Sequence, residues 1–139
     1  MRIAVVDDIA SERKLLCSRL TEQFARRGVH ADLFEYENGE SFLAGAKERP
    51  FTVVFLDIYM TGANGIETAK ELRSFDSDCL LVFTTTSTDH ALEGFRVRAM
   101  HSLVTPYEEK DLSGLTAETL SRLPPSGKSL AVKVNSRTG

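Results

Sequence analysis

TVVFLDIYMTGANGIETAKELRSF, residues 52–75, decides the architecture. Its first six residues are a continuous apolar run closed by an acid. They lack the polar–apolar alternation of a half-exposed strand, and such runs mark strands buried on both faces of a parallel sheet. A glycine-containing loop follows, and GIETAKELRSF (65–75) then places Ile66, Ala69 and Leu72 on one helical face. A buried strand, a loop and an amphipathic helix together form the repeating unit of an open α/β sheet.

The unit recurs on both sides. RIAVV (2–6) is a β-branched run, and SERKLLCSRLTEQFARRG (11–28) puts Leu16, Leu20 and Phe24 on one stripe closed by Gly28. HADLFEYEN (30–38) alternates Ala31, Leu33 and Glu35 against Asp32, Phe34 and Tyr36, a shorter strand, and GESFLAGAKE (39–48) follows as a helix. CLLVFTT (79–85) repeats the buried strand, DHALEGFRVRAM (89–100) predicts a fourth helix and HSLV (101–104) a fifth strand. EEKDLSGLTAETLSRL (108–123) predicts a last helix with Leu112, Leu115, Leu120 and Leu123 facing inward. The alternation predicts an α/β fold: a doubly wound, five-stranded parallel sheet with helices on both faces and right-handed crossovers. In such sheets ligands gather beyond the carboxyl ends of the strands, at the topological switch point.

Composition sets the outer bounds. With 139 residues, 42% hydrophobic and 27% charged, the chain accommodates one core and a short appendage. Lys and Arg number 17 against 20 Asp and Glu, a net charge of −3 with scattered cations, so no clustered positive field invites nucleic acid or an anionic membrane. Cys17 and Cys79 are far apart, and His30, His90 and His101 show no metal-ligand spacing. The thiols read as reduced and buried. No apolar run approaches the ~20 residues of a membrane span, and MRIAVVDD has no signal-peptide layout, which together predict a cytoplasmic chain. After Leu123 the breaker cluster PPSGK precedes SLAVKVN (129–135), whose apolar residues alternate. The expected organisation is one domain over 1–123, and over 124–139 either a linker with the first strand of another domain or a flexible tail.

At the carboxyl ends of the predicted strands stand Asp7 and Asp8, Asp57, Thr84 to Thr86, and Thr105 with Pro106. Three carboxylates on one edge repel and raise one another's pKa, so the cluster calls for a cation, and all-oxygen ligands suit Mg²⁺ or Mn²⁺. A carboxylate beside such an ion can act as nucleophile in phosphoryl transfer, giving an acyl phosphate, and Asp57 suits that role. Taken singly, each signal has a plainer reading: Asp7 or Asp8 as a helix N-cap, Asp57 as a turn residue, the threonines as strand filling.

VVDD (5–8), VVFLDIYMTGANGIE (53–67), LLVFTTTS (80–87) and LVTPY (103–107) resemble the four motif blocks of response regulator receiver domains, and they cover nearly all of 1–123. That resemblance implies a (βα)5 flavodoxin-like receiver fold. It also implies that Asp8, Asp57 and the backbone carbonyl of Tyr59 bind Mg²⁺ directly, with Asp7 helping through water. Asp57 would accept a phosphoryl group from the phosphohistidine of a sensor histidine kinase, and Thr85 would close on the phosphoryl oxygens. A cis peptide before Pro106 is implied as well. DHALEGFRVRAMHSLVTPY (89–107) and SLAVKVN are similar to LytTR-type regulators, implying a DNA-binding partner domain beyond the receiver and switching by homodimerisation through the fourth helix, fifth strand and fifth helix. DNA would be reached only through that further domain.

Three positions depart from the family pattern: Thr105 where a lysine is usual, Ser102 where an aromatic switch residue is common, and Thr61 where proline is usual. A cation about 4 Å from a phosphoryl charge is worth up to ~4 kcal/mol at an effective dielectric near 20, before desolvation. A neutral hydrogen bond from Thr105 contributes only ~0.5–1.5 kcal/mol. An alternative therefore stands beside the phosphoacceptor: a receiver-like protein-interaction module working without phosphate. A haloacid-dehalogenase-like phosphatase is a third class, but its second aspartate, two residues after the first, is replaced by Tyr59.

Overall fold

The computed structural model describes residues 1–60, 64–87 and 89–123. Thr61, Gly62, Thr88 and the linker and strand expected over 124–139 lie outside the described residues. Strands and helices alternate: β1 (Arg2–Val6), α1 (Ala10–Arg26), β2 (Asp32–Tyr36), α2 (Gly39–Glu48), β3 (Val53–Asp57), α3 (Gly65–Phe75), β4 (Leu80–Thr85), α4 (Ala91–Arg96), β5 (His101–Val104) and α5 (Glu109–Arg122). All pairings are parallel, and the sheet order is β2-β1-β3-β4-β5. The order reverses direction between β1 and β3, which opens a crevice beyond their carboxyl ends.

The period-two geometry of each buried strand divides the core into two layers. Ala4, Val6, Val54, Leu56, Leu81 and Phe83 face one layer with Phe42, Ile66, Ala69 and Leu72 of α2 and α3. Ile3, Val5, Val53, Phe55, Val82 and Leu103 face the other with Leu16, Leu20 and Phe24 of α1 and Leu112 and Leu115 of α5. The edge strand β2 feeds both: Leu33, with Ala31 just before the strand, packs against the second layer, and Phe34 and Tyr36 against the first. Cys17 and Cys79 are free and buried, and burial pushes both thiols up to about 11, which makes them poor nucleophiles.

Local chemistry sets the helix ends. The side chains of Asn38 and Asn64 accept hydrogen bonds from the backbone of Ser41 and Glu67, at 2.8 and 3.0 Å, starting α2 and α3. Gly28 takes a φ of 73° just past α1, the left-handed conformation that suits a glycine closing a helix.

One expectation changes and another is extended. The fourth helix covers six residues, Ala91–Arg96, and not 89–100, because the chain leaves the helix at Val97 and Arg98 adopts a φ of 55°. In α5, Leu120 is half-buried and packs against the second layer, Leu123 falls at the C-cap, and the inward face also takes in the buried Thr116 and Thr119, whose hydroxyls donate to Leu112 and Leu115 carbonyls at 2.7 and 2.8 Å. Bonding back to the preceding turn lets threonine enter an apolar layer without an unsatisfied hydroxyl, a device that hydrophobic patterning cannot see.

Gly65 fixes the return of the chain after β3. Its N–H donates to the Ile58 carbonyl at 2.9 Å, and a Cβ there would collide with the Asp57 carbonyl oxygen and lie 2.8 Å from Ile58 Cα. A Cβ at Gly114, on the outer face of α5, meets nothing within 4 Å. The same substitution should therefore have opposite signs at the two sites. In urea titrations, Gly65→Ala lowers stability by about 1–3 kcal/mol through overpacking, and Gly114→Ala raises it by roughly 0.5–1 kcal/mol through helix propensity.

Candidate functional site

Asp7 follows the last residue of β1, and Asp57 is the last residue of β3. The register pairs Val6 with Leu56, which brings the two carboxylates side by side across the crevice. One carboxylate oxygen each from Asp7, Asp8 and Asp57 fall within 4.8 Å of one another, and all three residues are half-buried. The N-cap of α1 is Ile9, without a side-chain cap, so neither Asp7 nor Asp8 occupies the capping position. Asp7 Oδ1 instead accepts from the Ile9 N–H at 2.9 Å, and Asp57 Oδ1 from the Tyr59 N–H at 3.1 Å.

Burial and mutual repulsion govern the charge state of this cluster. Asp57 is pushed up to about 7, first by desolvation and then by the charge of Asp7, with a smaller push from Asp8; the Tyr59 N–H opposes them. Asp7 is also raised, mainly by burial, against the hydrogen bond from Ile9. A carboxyl poised near neutrality takes up positive charge readily, and three hard oxygen donors facing an open crevice fit a divalent ion such as Mg²⁺ better than a soft metal.

Threonines line the opposite wall. Pairing of Asp57 with Thr84 and of Thr85 with Val104 brings β4 and the end of β5 to the same level. Asp7, Asp57, Tyr59, Thr84, Thr85, Thr86 and Thr105 line one cavity of about 460 Å³, together with Ile9 and Glu12 of the α1 entry. Both sequence-singled hydroxyls are internally engaged. Thr85 Oγ1 donates to the Ser87 carbonyl at 3.0 Å and accepts from the Ser87 N–H at 3.1 Å. Thr105 Oγ1 donates to the Thr85 carbonyl at 3.3 Å. Either hydroxyl must exchange a partner to meet an anion in the cavity. The peptide between Thr105 and Pro106 is cis. Ser102 sits half-buried on β5.

Two features of the site escaped sequence reading. Arg13 reaches back from α1 to donate to the Asp7 carbonyl at 2.8 Å while its Nε holds Glu35 at 2.9 Å, which fastens the β1 end to β2. Its place one turn into α1, six residues beyond Asp7, was the available signal. The second is a hydrogen bond of 2.8 Å between the Tyr59 hydroxyl and His90 Nε2, with the rings edge-on at 5.4 Å. Nothing local in the sequence joins residues 31 positions apart.

The raised pKa of Asp57 fixes the sign of one pH effect. The folded state favours the protonated carboxyl, so the contribution to stability is complete below about 3.8 and is lost as pH rises through about 7. In metal-free buffer, Asp57→Asn should match the wild type in thermal melting near the ordinary aspartate range. It should melt measurably higher at pH 8, where the wild-type carboxylate is ionised beside Asp7 and Asp8. Equal melting temperatures at pH 8 would contradict this account.

A family model described as the response regulator receiver domain matches residues 3–116. The sensory transduction protein LytT of Oceanobacillus iheyensis is 38% identical over 76 residues, covering 53% of this chain and 31% of that protein. An uncharacterized response regulatory protein of Yersinia pestis is 32% identical over 135 residues, covering 97% of this chain and 52% of that one. The chain thus spans about half or less of the length of these relatives. Among solved structures, the response regulator TrrA of Thermotoga maritima, in complex with Mg²⁺ and a beryllium fluoride, superposes with a TM-score of 0.70. It is 28% identical, and the match covers 85% of this chain and 97% of that one. Among the described residues no helix is long and apolar enough to cross a membrane. With its 2-1-3-4-5 parallel sheet, its strand-end aspartates and a family match over most of its length, the chain belongs to the response regulator receiver domains of two-component systems.

Proposed function

We propose that this receiver accepts a phosphoryl group on Asp57 from the phosphohistidine of a sensor histidine kinase and passes its state to an attached DNA-binding domain. The observation that carries the reading is the convergence of the Asp7, Asp8 and Asp57 carboxylates, with Asp7, Asp57 and Thr85 lining the same crevice. A domain with no phosphate chemistry gains nothing from holding three repelling carboxylates together. The transcriptional and sensory-transduction names of the relatives support the DNA-binding output.

In this reading Asp7, Asp8, Asp57 and the Tyr59 carbonyl would be the groups that hold Mg²⁺. The ion would supply positive charge that favours ionised Asp57 and neutralises the transferring group. An oxygen of ionised Asp57 attacks phosphorus in line; the phosphorus–nitrogen bond of the donor breaks, its electron pair stays with the imidazole, and an acyl phosphate forms. Tyr59 N–H, already on Asp57 Oδ1, orients the nucleophile. Thr85 turns its hydroxyl from Ser87 to a phosphoryl oxygen, giving up two local hydrogen bonds for one charge-assisted bond. The domain labels itself and releases the label to water; it turns over no external substrate. Thr105 occupies the usual lysine position without its charge, so the acyl phosphate is less stabilised than in lysine-bearing relatives.

Intact-mass analysis after incubation with Mg²⁺ and acetyl phosphate tests this directly. One phosphoryl group on the wild type and none on Asp57→Asn is expected. Thr105→Lys should raise the phosphorylated fraction, because the added cation is worth up to ~4 kcal/mol before desolvation. The absence of any adduct on the wild type at saturating Mg²⁺ would instead favour the phosphate-independent module. That second reading has its own support in Thr105 and Thr85, whose hydroxyls are already satisfied within the protein.

For the output, we infer homodimerisation through α4, β5 and α5. Leu92 and Phe95 are 59% and 80% exposed on α4, and Val104 is exposed at the end of β5, so two of these elements leave large apolar side chains uncovered. Sedimentation velocity should show a shift toward dimer when Mg²⁺ and beryllofluoride are added to the wild type. Phe95→Asp, which places a charge at the most exposed of these side chains, should remain monomeric under the same conditions.

A further inference from the structure

Helix α4 has little packing to hold it. It is six residues long, only Gly94 within it is buried, and its two large apolar side chains, Leu92 and Phe95, point into solvent. Polar ties hold its two ends. Beyond its C-terminus the Arg73 guanidinium donates to the Val97 carbonyl at 2.7 Å and the Arg98 carbonyl at 3.1 Å, while its other bonds go to Asp76 and Cys79 in the segment between α3 and β4. At its N-terminus no side chain caps the helix, and the N-cap residue His90 is tied to Tyr59.

The His90 ring has a single hydrogen bond among the described residues. Its Nδ1 is buried without a hydrogen-bond partner, since the nearest carboxylate, that of Glu93, is 3.9 Å away. The Tyr59 ring lies edge-on against it and is half-exposed otherwise. Tyr59 is also two residues beyond Asp57 and donates its N–H to that carboxylate. One residue therefore touches the nucleophile through its backbone and the start of α4 through its side chain. Position 102, from which an aromatic ring could report on the site, holds Ser102, with too little apolar area to bias a rotamer equilibrium.

We propose that the Tyr59–His90 contact couples the Asp57 site to α4, with His90 acting as a positioning residue that holds the Tyr59 segment against the site and carries its displacement into the helix. The inference rests on the phosphoacceptor reading. Loading the site reorders residues 57–59, the Tyr59 hydroxyl moves with its backbone, and the first turn of α4 follows because little packing resists it. Arg73 keeps the far end of the helix fixed, so the motion is a swing of α4 about its C-terminus, which re-aims Leu92 and Phe95.

Hydrogen–deuterium exchange of the whole chain, with and without Mg²⁺ and beryllofluoride, separates the two ideas. In the wild type, exchange should change both in residues 53–60 and in residues 91–98. In His90→Ala the change at 53–60 persists and the change at 91–98 is lost. The half-saturating Mg²⁺ concentration should rise by about two- to tenfold in His90→Ala, the range one net hydrogen bond is worth. His90→Gln, which retains a side-chain hydrogen-bonding group, restores part of the α4 response, and Tyr59→Phe, which keeps the backbone and the ring but loses the hydroxyl, reproduces His90→Ala. A wild-type α4 response in His90→Ala and in Tyr59→Phe overturns the proposal while leaving the phosphoacceptor reading intact. A wild type that changes in neither segment overturns both.

Discussion

Three carboxylates held together with partial burial are the constraint around which the carboxyl edge of this domain is organised. Ionised oxygens of Asp7, Asp8 and Asp57 within 4.8 Å of one another repel, and burial raises the pKa of Asp7 and Asp57. The sheet prevents separation. Asp7 and Asp57 are anchored by adjacent strands whose apolar residues are buried on both faces, and a fully buried Val, Leu or Phe contributes roughly 1.5–3 kcal/mol relative to exposure. Moving either aspartate outward would drag such residues with it. The strain is therefore relieved through charge, by a proton in the bare protein or by a cation, and this links the core to the chemistry at its edge.

The opposite wall follows a different logic. The hydroxyls of Thr85 and Thr105 are bonded to nearby backbone, so the resting crevice leaves neither wanting a partner. Binding an anion there means exchanging existing bonds for charge-assisted ones, roughly twice as strong as neutral ones. The net gain per hydroxyl is small beside what a lysine at position 105 would add. In the proposed reading, affinity for a phosphoryl group would rest mainly on the carboxylate wall and a cation held there, and the threonine wall would contribute mainly to sensing whether the site is filled.

How much of this was legible in the sequence depends on the range of the interaction. The strands β1, β3 and β4 announced themselves as apolar runs because both their faces are buried, and the acids that close β1 and β3 fell together once the switch-point rule placed those strands side by side. The inward face of α5 also takes in Thr116 and Thr119, which apolar patterning passes over because their hydroxyls bond to the preceding turn. The fourth helix was read too long: its apolar residues fit a helical period, yet Leu92 and Phe95 face solvent and Arg98 leaves the helical region. Arg13 with the Asp7 carbonyl and Tyr59 with His90 depend on where distant segments meet, which periodicity does not encode.

The helices differ in how firmly they are held, and that difference gives any rearrangement at the site a direction. On one face α1, 17 residues long, and α5, 14 residues long, share a continuous apolar layer. They are also cross-linked by Arg27 to Ser113 and by Arg26 to Glu109. Displacing either helix would break many contacts at once. On the other side of β4, α4 has Gly94 against Phe83, an exposed apolar face and a polar tie at each end. A cooperative core yields where its contacts are fewest. Among the described helices α4 is therefore the least firmly held beside the site, and the coupling proposed through Tyr59 and His90 points toward it.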